Sequence, residues 1–115
     1  MTQIPYIFNQ LTQWLPRDKF DRLVKQYKGN AYVKDFSCWK HLLVMIWAQL
    51  TSRRSLRDIE TSLRAHSDKL YRMGMGRHVS RNNIANANAK RDVAIYRGLA
   101  QEMMRLATSA KIRDR

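Results

Sequence analysis

The 115-residue sequence predicts an all-α fold: a compact bundle of about five helices, helix-turn-helix-like in its C-terminal half and ending on a long last helix. Three observations carry that reading. Glycine and proline are scarce, at four and two, and mark joints between periodic segments. Apolar residues recur at helical spacing through most of the chain. The hydrophobic fraction of 44% is enough for one modest core, and no repeat or low-complexity stretch divides residues 1–115, so a single domain is expected.

The first predicted helix, residues 7–15, sets Ile7, Phe8, Leu11, Trp14 and Leu15 along one side and stops where Pro16 removes a backbone donor. Pro16 suits the first turn of the second helix, whose Phe20, Leu23, Val24 and Tyr27 follow the i, i+3, i+4, i+7 rule until Gly29 ends it. So short a joint predicts that these two helices pack as a pair. Residues 29–36, "GNAYVKDF", read as a connector with room for a short extended piece. Ser37 can cap a third helix, "CWKHLLVMIWAQLTS", which is apolar nearly all the way round, the mark of a buried centre. Ser55 to Asp58 form a Ser-x-x-Asp variant of the capping box, and Leu56, Ile59 and Leu63 give the fourth helix one apolar stripe. Residues 66–79 read as a linker in which Lys69, Arg72 and Arg77 face one acid, Asp68. Its Tyr71, Met73 and Met75 are expected to tuck under the domain rather than wedge into a minor groove. Ser80 is placed to cap the last helix, expected to run to about residue 110.

Lys and Arg number 22 against nine Asp and Glu, a formal charge of +13. Such a surface draws polyanions before any specific contact forms, nucleic acid first, although ribosome-associated and membrane-surface proteins share this balance. A single cysteine, Cys38, excludes an internal disulfide and fits a reducing compartment. No basic leader precedes an apolar run at the start, and the longest apolar run, residues 42–48, is too short to span a bilayer. A soluble, cytoplasmic protein with no membrane partner is expected.

Arg53, Arg54 and Arg57 crowd the start of the fourth helix, an end that favours negative charge. A bound phosphate would relieve both the arginines and the helix dipole. Solvated pairing with Asp58 and Glu60 is the other reading. Residues 79–92, "VSRNNIANANAKRD", pose a second problem, because asparagine is a mediocre helix former and four of them stand here. On one continuous helix, Ile84, Ala85, Ala89, Ile95, Tyr96, Leu99, Ala100, Met103 and Ala107 share a broad side, while Asn83, Asn86, Lys90 and Arg97 share the other. Ala87 and Ala94 flank the polar face and keep the helix thin. Asparagine can bond bidentately to adenine and an alanine methyl suits the thymine methyl, so this face fits a major groove. Alternatively, Asn82 and Asn83 help Ser80 cap the helix and the rest are surface amides. Asn88 projects to the apolar side with Asp92 and is expected to be a structural hydrogen-bonding residue.

"CWKHLLVMIWAQLTSRRSLRDIETSL", residues 38–63, followed by "SRNNIANANAKRDVAIYRGLA", residues 80–100, resembles the N-terminal domain of insertion-sequence transposases of the IS-four group. The opening "FNQLTQWLPRDKFDRLVKQYKGNAYVKDF" extends the resemblance over nearly the whole chain. The resemblance implies a domain for transposition and DNA recombination that binds double-stranded DNA at the element's terminal inverted repeats. It implies a bacterial, nucleoid-associated setting, and it allows a homodimer through the full-length transposase. The family's chemistry is two-metal phosphoryl transfer on an Asp-Asp-Glu triad in a ribonuclease-H-like core, expected beyond the end of this chain. No enzymatic activity and no cofactor is therefore expected here, divalent metal belonging to that missing core. The family's motif residues match as Arg53, Arg54, Arg57, Ser80, Arg81, Asn88, Lys90, Arg91 and Asp92. From chemistry and placement, the expected DNA contacts are Arg53, Arg54, Arg57, Arg77, Ser80, Arg81, Asn82, Asn83, Asn86, Lys90, Arg91 and Arg97. The connection before the last helix is longer than the usual three or four residues of a helix-turn-helix, which bears on how the helix would dock. Assembly of a transposase dimer or synaptic complex is the alternative function, motivated by the methionines and by apolar residues running to the end of the last helix.

Other chemistry finds little footing. Cys38 and His41 have a C-x-x-H spacing, but His66 and His78 come from distant segments, so a buried thiol and a partly buried histidine are expected rather than a zinc site. Asp58, Glu60 and Asp92 have simpler roles in capping or pairing than in catalysis, and no glycine-rich phosphate loop or nucleophile with its base is present.

Overall fold

The computed structural model describes residues 3–30, 36–72, 75 and 79–113, and every regular element among them is an α-helix. In chain order these are α1 (Gln3–Gln13), α2 (Arg17–Gln26), α3 (Cys38–Leu50), α4 (Leu56–Ala65), α5 (Ser67–Arg72), α6 (Arg81–Lys90) and α7 (Val93–Arg113). Their contacts fall into two units, Met1–Trp14 with Tyr32–Arg91, and Leu15–Ala31 with Asp92–Arg115.

The first unit is built on α3, against which α1 and α6 pack, while α4 packs on α5 and α6. Ser37 caps α3 by accepting the Lys40 N–H at 3.2 Å, so the helix starts where the sequence predicts. Its apolar residues do run nearly round the helix, and Cys38, Leu42, Leu43, Val44, Trp47 and Ala48 are all buried. Trp47 is the largest fully buried side chain. Phe8 of α1 meets it edge-on at 5.3 Å and His66 at 5.1 Å, and its indole N–H donates to Ser62 Oγ at 3.0 Å. A buried tryptophan needs such an acceptor, and α4 supplies it. The helix ends with Ser52 at φ 56°, Arg53 N–H bonding Ala48 O at 2.9 Å and Ser52 N–H bonding Gln49 O at 3.2 Å. This pattern satisfies the last carbonyls through one left-handed residue.

In the second unit α2 packs along α7. Phe20 sits 6.0 Å from Tyr96, and Ile95 and Leu99 are buried with Leu23 and Val24. A Cβ at Gly98 would fall 2.8 Å from the Leu23 side chain, so glycine lets the two helices close up there. Lys28, at φ 52°, takes the left-handed position that ends α2, which the sequence reading gave to Gly29.

Several expectations need correction. The predicted α1–α2 pair is replaced by two pairings, α1 with α3 and α2 with α7. Of the predicted stripe, Phe8 on α1 and Leu15 beyond its end are buried, whereas Ile7 and Leu11 are exposed, as is Trp14, at 78%. The predicted linker contains α5, whose Leu70 is buried and whose carbonyl accepts the Met75 N–H at 3.0 Å. Met75 is core, as expected, whereas Tyr71 is exposed. The long last helix is broken at Arg91 and Asp92. Arg91 is extended, at φ −82° and ψ 142°, and Asp92 starts a new helix by accepting the Ala94 N–H at 2.9 Å. Of the connector at residues 29–36, with its room for an extended piece, residues 31–35 lie outside the described residues, as do Met73, Arg77 and His78.

Candidate nucleic-acid interface

α6 starts because two acceptors meet its free N–H groups. Ser80 Oγ takes the Asn83 N–H at 3.1 Å, and Glu60 of α4 takes the Arg81 N–H at 2.9 Å. The carboxylate also ties α6 to α4, so the predicted pair of helices does form, with α5 inserted between them in sequence. Ile84 and Ala87 are buried and fix which way the helix faces. Asn82, Asn83, Asn86, Ala89 and Lys90 are exposed, as is the side chain of Arg81. The small residue on the wet face is thus Ala89, not Ala87, and Ala94 belongs to the next helix. Asn82, Asn83, Asn86 and Lys90 form one amide-rich, cationic strip free of acidic side chains.

Asn88 is exposed as well, not turned to the apolar side as the helical spacing predicts, but it is a structural hydrogen-bonding residue all the same. His41 Nε2–H of α3 donates to Asn88 Oδ1 at 2.7 Å. His41 is buried, and burial holds its imidazole below the ordinary value; the Asn88 bond opposes that and the Arg91 charge adds to it. Arg91 is turned inward as well. Its Nη2 donates to the Phe36 carbonyl, its Cζ lies 5.3 Å from the Phe36 ring centroid, and its Nη1 is buried without a hydrogen-bond partner among the described residues. Phe36 itself meets the His41 ring at 5.7 Å. The guanidinium is therefore committed to holding the end of α6, which the sequence reading had offered to DNA. The Ser80 hydroxyl is likewise engaged in its cap.

Arg53, Arg54 and Arg57 are exposed at the start of α4. Ser55 Oγ caps that helix by accepting the Asp58 N–H at 3.1 Å. Among the described residues none of the three arginine side chains has an ion pair with either foreseen partner, Asp58 or Glu60, and Glu60 is used by Arg64 at 3.9 Å and by the Arg81 amide. Arg97 is exposed on α7 in the second unit and is not part of the α6 strip. Arg77 lies outside the described residues.

Among the described residues no three His, Cys, Asp or Glu side chains come together to hold a metal ion, and Cys38 is buried and unbridged. Among the described residues no helix is long and apolar enough to cross a membrane.

The fold and this face define a strongly basic all-helical protein with an exposed amide strip on a short helix. The chain belongs to the family described as "Domain of unknown function (DUF4372)", whose model matches residues 4–76, from α1 through α5. No curated protein and no solved structure matches it.

Proposed function

We propose that the chain is the sequence-specific DNA-binding domain of an insertion-sequence transposase of the IS-four group, recognising the element's terminal inverted repeats. The observation that carries this reading is the exposed strip Asn82, Asn83, Asn86 and Lys90 on α6, a helix that buries Ile84 and Ala87, in a chain of formal charge +13. Amides that face water on a helix end free of acids are suited to base edges in a major groove, and Lys90 to a phosphate. Arg53, Arg54 and Arg57, unpaired at the start of α4, are suited to the DNA backbone. Arg91 has no part in the contact. Strand cleavage and its divalent metal belong to a separate catalytic core, and magnesium or manganese should elicit no nuclease activity from this chain. A cytoplasmic, nucleoid-associated location follows from the same reading. Gel-shift titration against the cognate inverted repeat and a scrambled duplex of equal length tests it. Tighter binding to the repeat is expected; equal affinity would remove sequence reading.

A second reading makes the chain an assembly module for a transposase dimer. The exposed Met103, Met104 and Leu106 on α7 favour it. Light scattering of the free chain separates the two, since a strict monomer that binds DNA counts against assembly.

A further inference from the structure

We infer that the groove between α2 and α7 is a binding site for single-stranded nucleic acid, taking a base against Tyr27 and successive backbone phosphates on Arg97 and Lys19. The site lies in the second unit and does not depend on duplex reading by α6. Its volume is about 380 Å³, within the range of clefts that hold small ligands. Lys19, Leu23 and Tyr27 follow each other at four-residue intervals on α2, and Arg97, Gln101 and Arg105 do so on α7. Each row therefore runs along one side of its helix for roughly 12 Å. Leu23 and Gly98 make an apolar floor where the helices approach.

The charges sort the ligand. Arg105 donates to Glu102 through Nη2 at 2.6 Å and Nε at 3.2 Å, which neutralises the groove's one acid. Lys19 and Arg97 hold no ion pair among the described residues, so the groove keeps a cationic excess. Tyr27 is 37% exposed at the end of α2. An inorganic anion would use the cations and leave the ring and the apolar floor idle. A duplex is a convex rod with its bases stacked inside and cannot reach that floor. A nucleotide with a free base uses all three features: stacking on an aromatic ring, an apolar bed, and a cation for the phosphate.

The test uses the full chain and fluorescein-labelled oligo(dT), read by anisotropy. Tyr27→Ala should weaken binding about ten-fold and Tyr27→Phe should retain it, while Arg97→Ala should reduce the salt dependence by about one phosphate contact. Lys19→Gln, on a partly exposed side chain, serves as a second cation variant should Tyr27→Ala melt early. Duplex binding through α6 should be unchanged in Tyr27→Ala, and oligo(dT) binding unchanged in Asn83→Ala, so the two sites fail separately. Equal affinity for an abasic deoxyribose-phosphate oligomer would overturn the inference, because the ring would then read nothing. So would a poly-glutamate peptide that binds as tightly as oligo(dT), or oligo(dT) binding indifferent to Tyr27→Ala, Arg97→Ala and Lys19→Gln together.

Discussion

His41 and Asn88 make one residue-scale contact on which the placement of α6 depends. The 2.7 Å bond from His41 Nε2–H to Asn88 Oδ1 joins residues 47 apart in sequence, and Arg91 stacked on Phe36 closes the same corner. Asn88→Ala would leave a buried imidazole N–H without its acceptor. The expected loss is about 1–3 kcal/mol in denaturant unfolding, with DNA affinity changing only as far as folding does. The same corner sets a pH dependence. Burial holds the folded His41 below its ordinary value of 6.5, so the unfolded chain takes up the proton first as pH falls. Stability contributed by neutral His41 is full above 6.5, declines as pH drops below it, and levels once the folded value is passed. His41→Gln keeps an N–H donor and removes the titration. Melting temperatures followed through this window should fall less steeply in His41→Gln than in the parent; identical curves would assign the acid loss to another group.

The break between α6 and α7 is the element-scale feature that most alters the reading of the chain. Asp92 caps α7 through the Ala94 N–H, and Arg91 leaves the helical region just before it. Asp92→Ala should cost about 1 kcal/mol, seen as a lowered melting temperature with fraying at the start of α7. An unchanged melt would mean that packing alone sets this helix start. The sequence "KRDV" carries the cap in plain view, yet the helical spacing of Ile84 through Leu99 continues across it with almost no phase error. Periodicity cannot see a helix end that costs it no register, whereas a cap rule applied at Asp92 would have. Caps read locally fared well elsewhere: Ser37, Ser55 and Ser80 all accept the N–H three residues on. α5 was missed because six residues with one buried leucine give no periodic signal. The α1 stripe misled in the opposite direction, since spacing marks a face as apolar without saying that anything covers it. For the interface, the exposed side of α6 was legible from the spacing of Asn83, Asn86 and Lys90 away from Ile84, whereas Ala87, read as a flank of that face, is buried beside it. Arg91 was not legible. Its partner, the Phe36 carbonyl, is 55 residues away, and such a contact leaves no local trace.

At the scale of the whole molecule, a formal charge of +13 makes any nucleic-acid affinity steeply salt-dependent, and that dependence separates positioning from reading. Arg53, Arg54 and Arg57 carry no ion pair among the described residues. If they meet phosphates, each alanine substitution should weaken cognate and random duplexes alike and lower the salt slope by about 0.9. An unchanged slope in all three would turn that end of α4 away from DNA. The amides of α6 should behave differently. Asn83→Ala or Asn86→Ala removes a bidentate base contact, which should cost about 1–3 kcal/mol on the cognate repeat with little change on random duplex and none in salt slope. Neither side chain is buried, and alanine is the better helix former, so the melting temperature should hold or rise slightly. Asn88→Ala supplies the contrast, losing stability while keeping its ratio of cognate to random affinity, because its amide is occupied by His41. Gel shifts and melts on the three variants therefore distinguish an amide that reads DNA from one that holds the helix. Should Asn83→Ala and Asn86→Ala leave cognate affinity intact, the exposed strip of α6 does not enter a groove, and the sequence reading of the repeat must come from another surface.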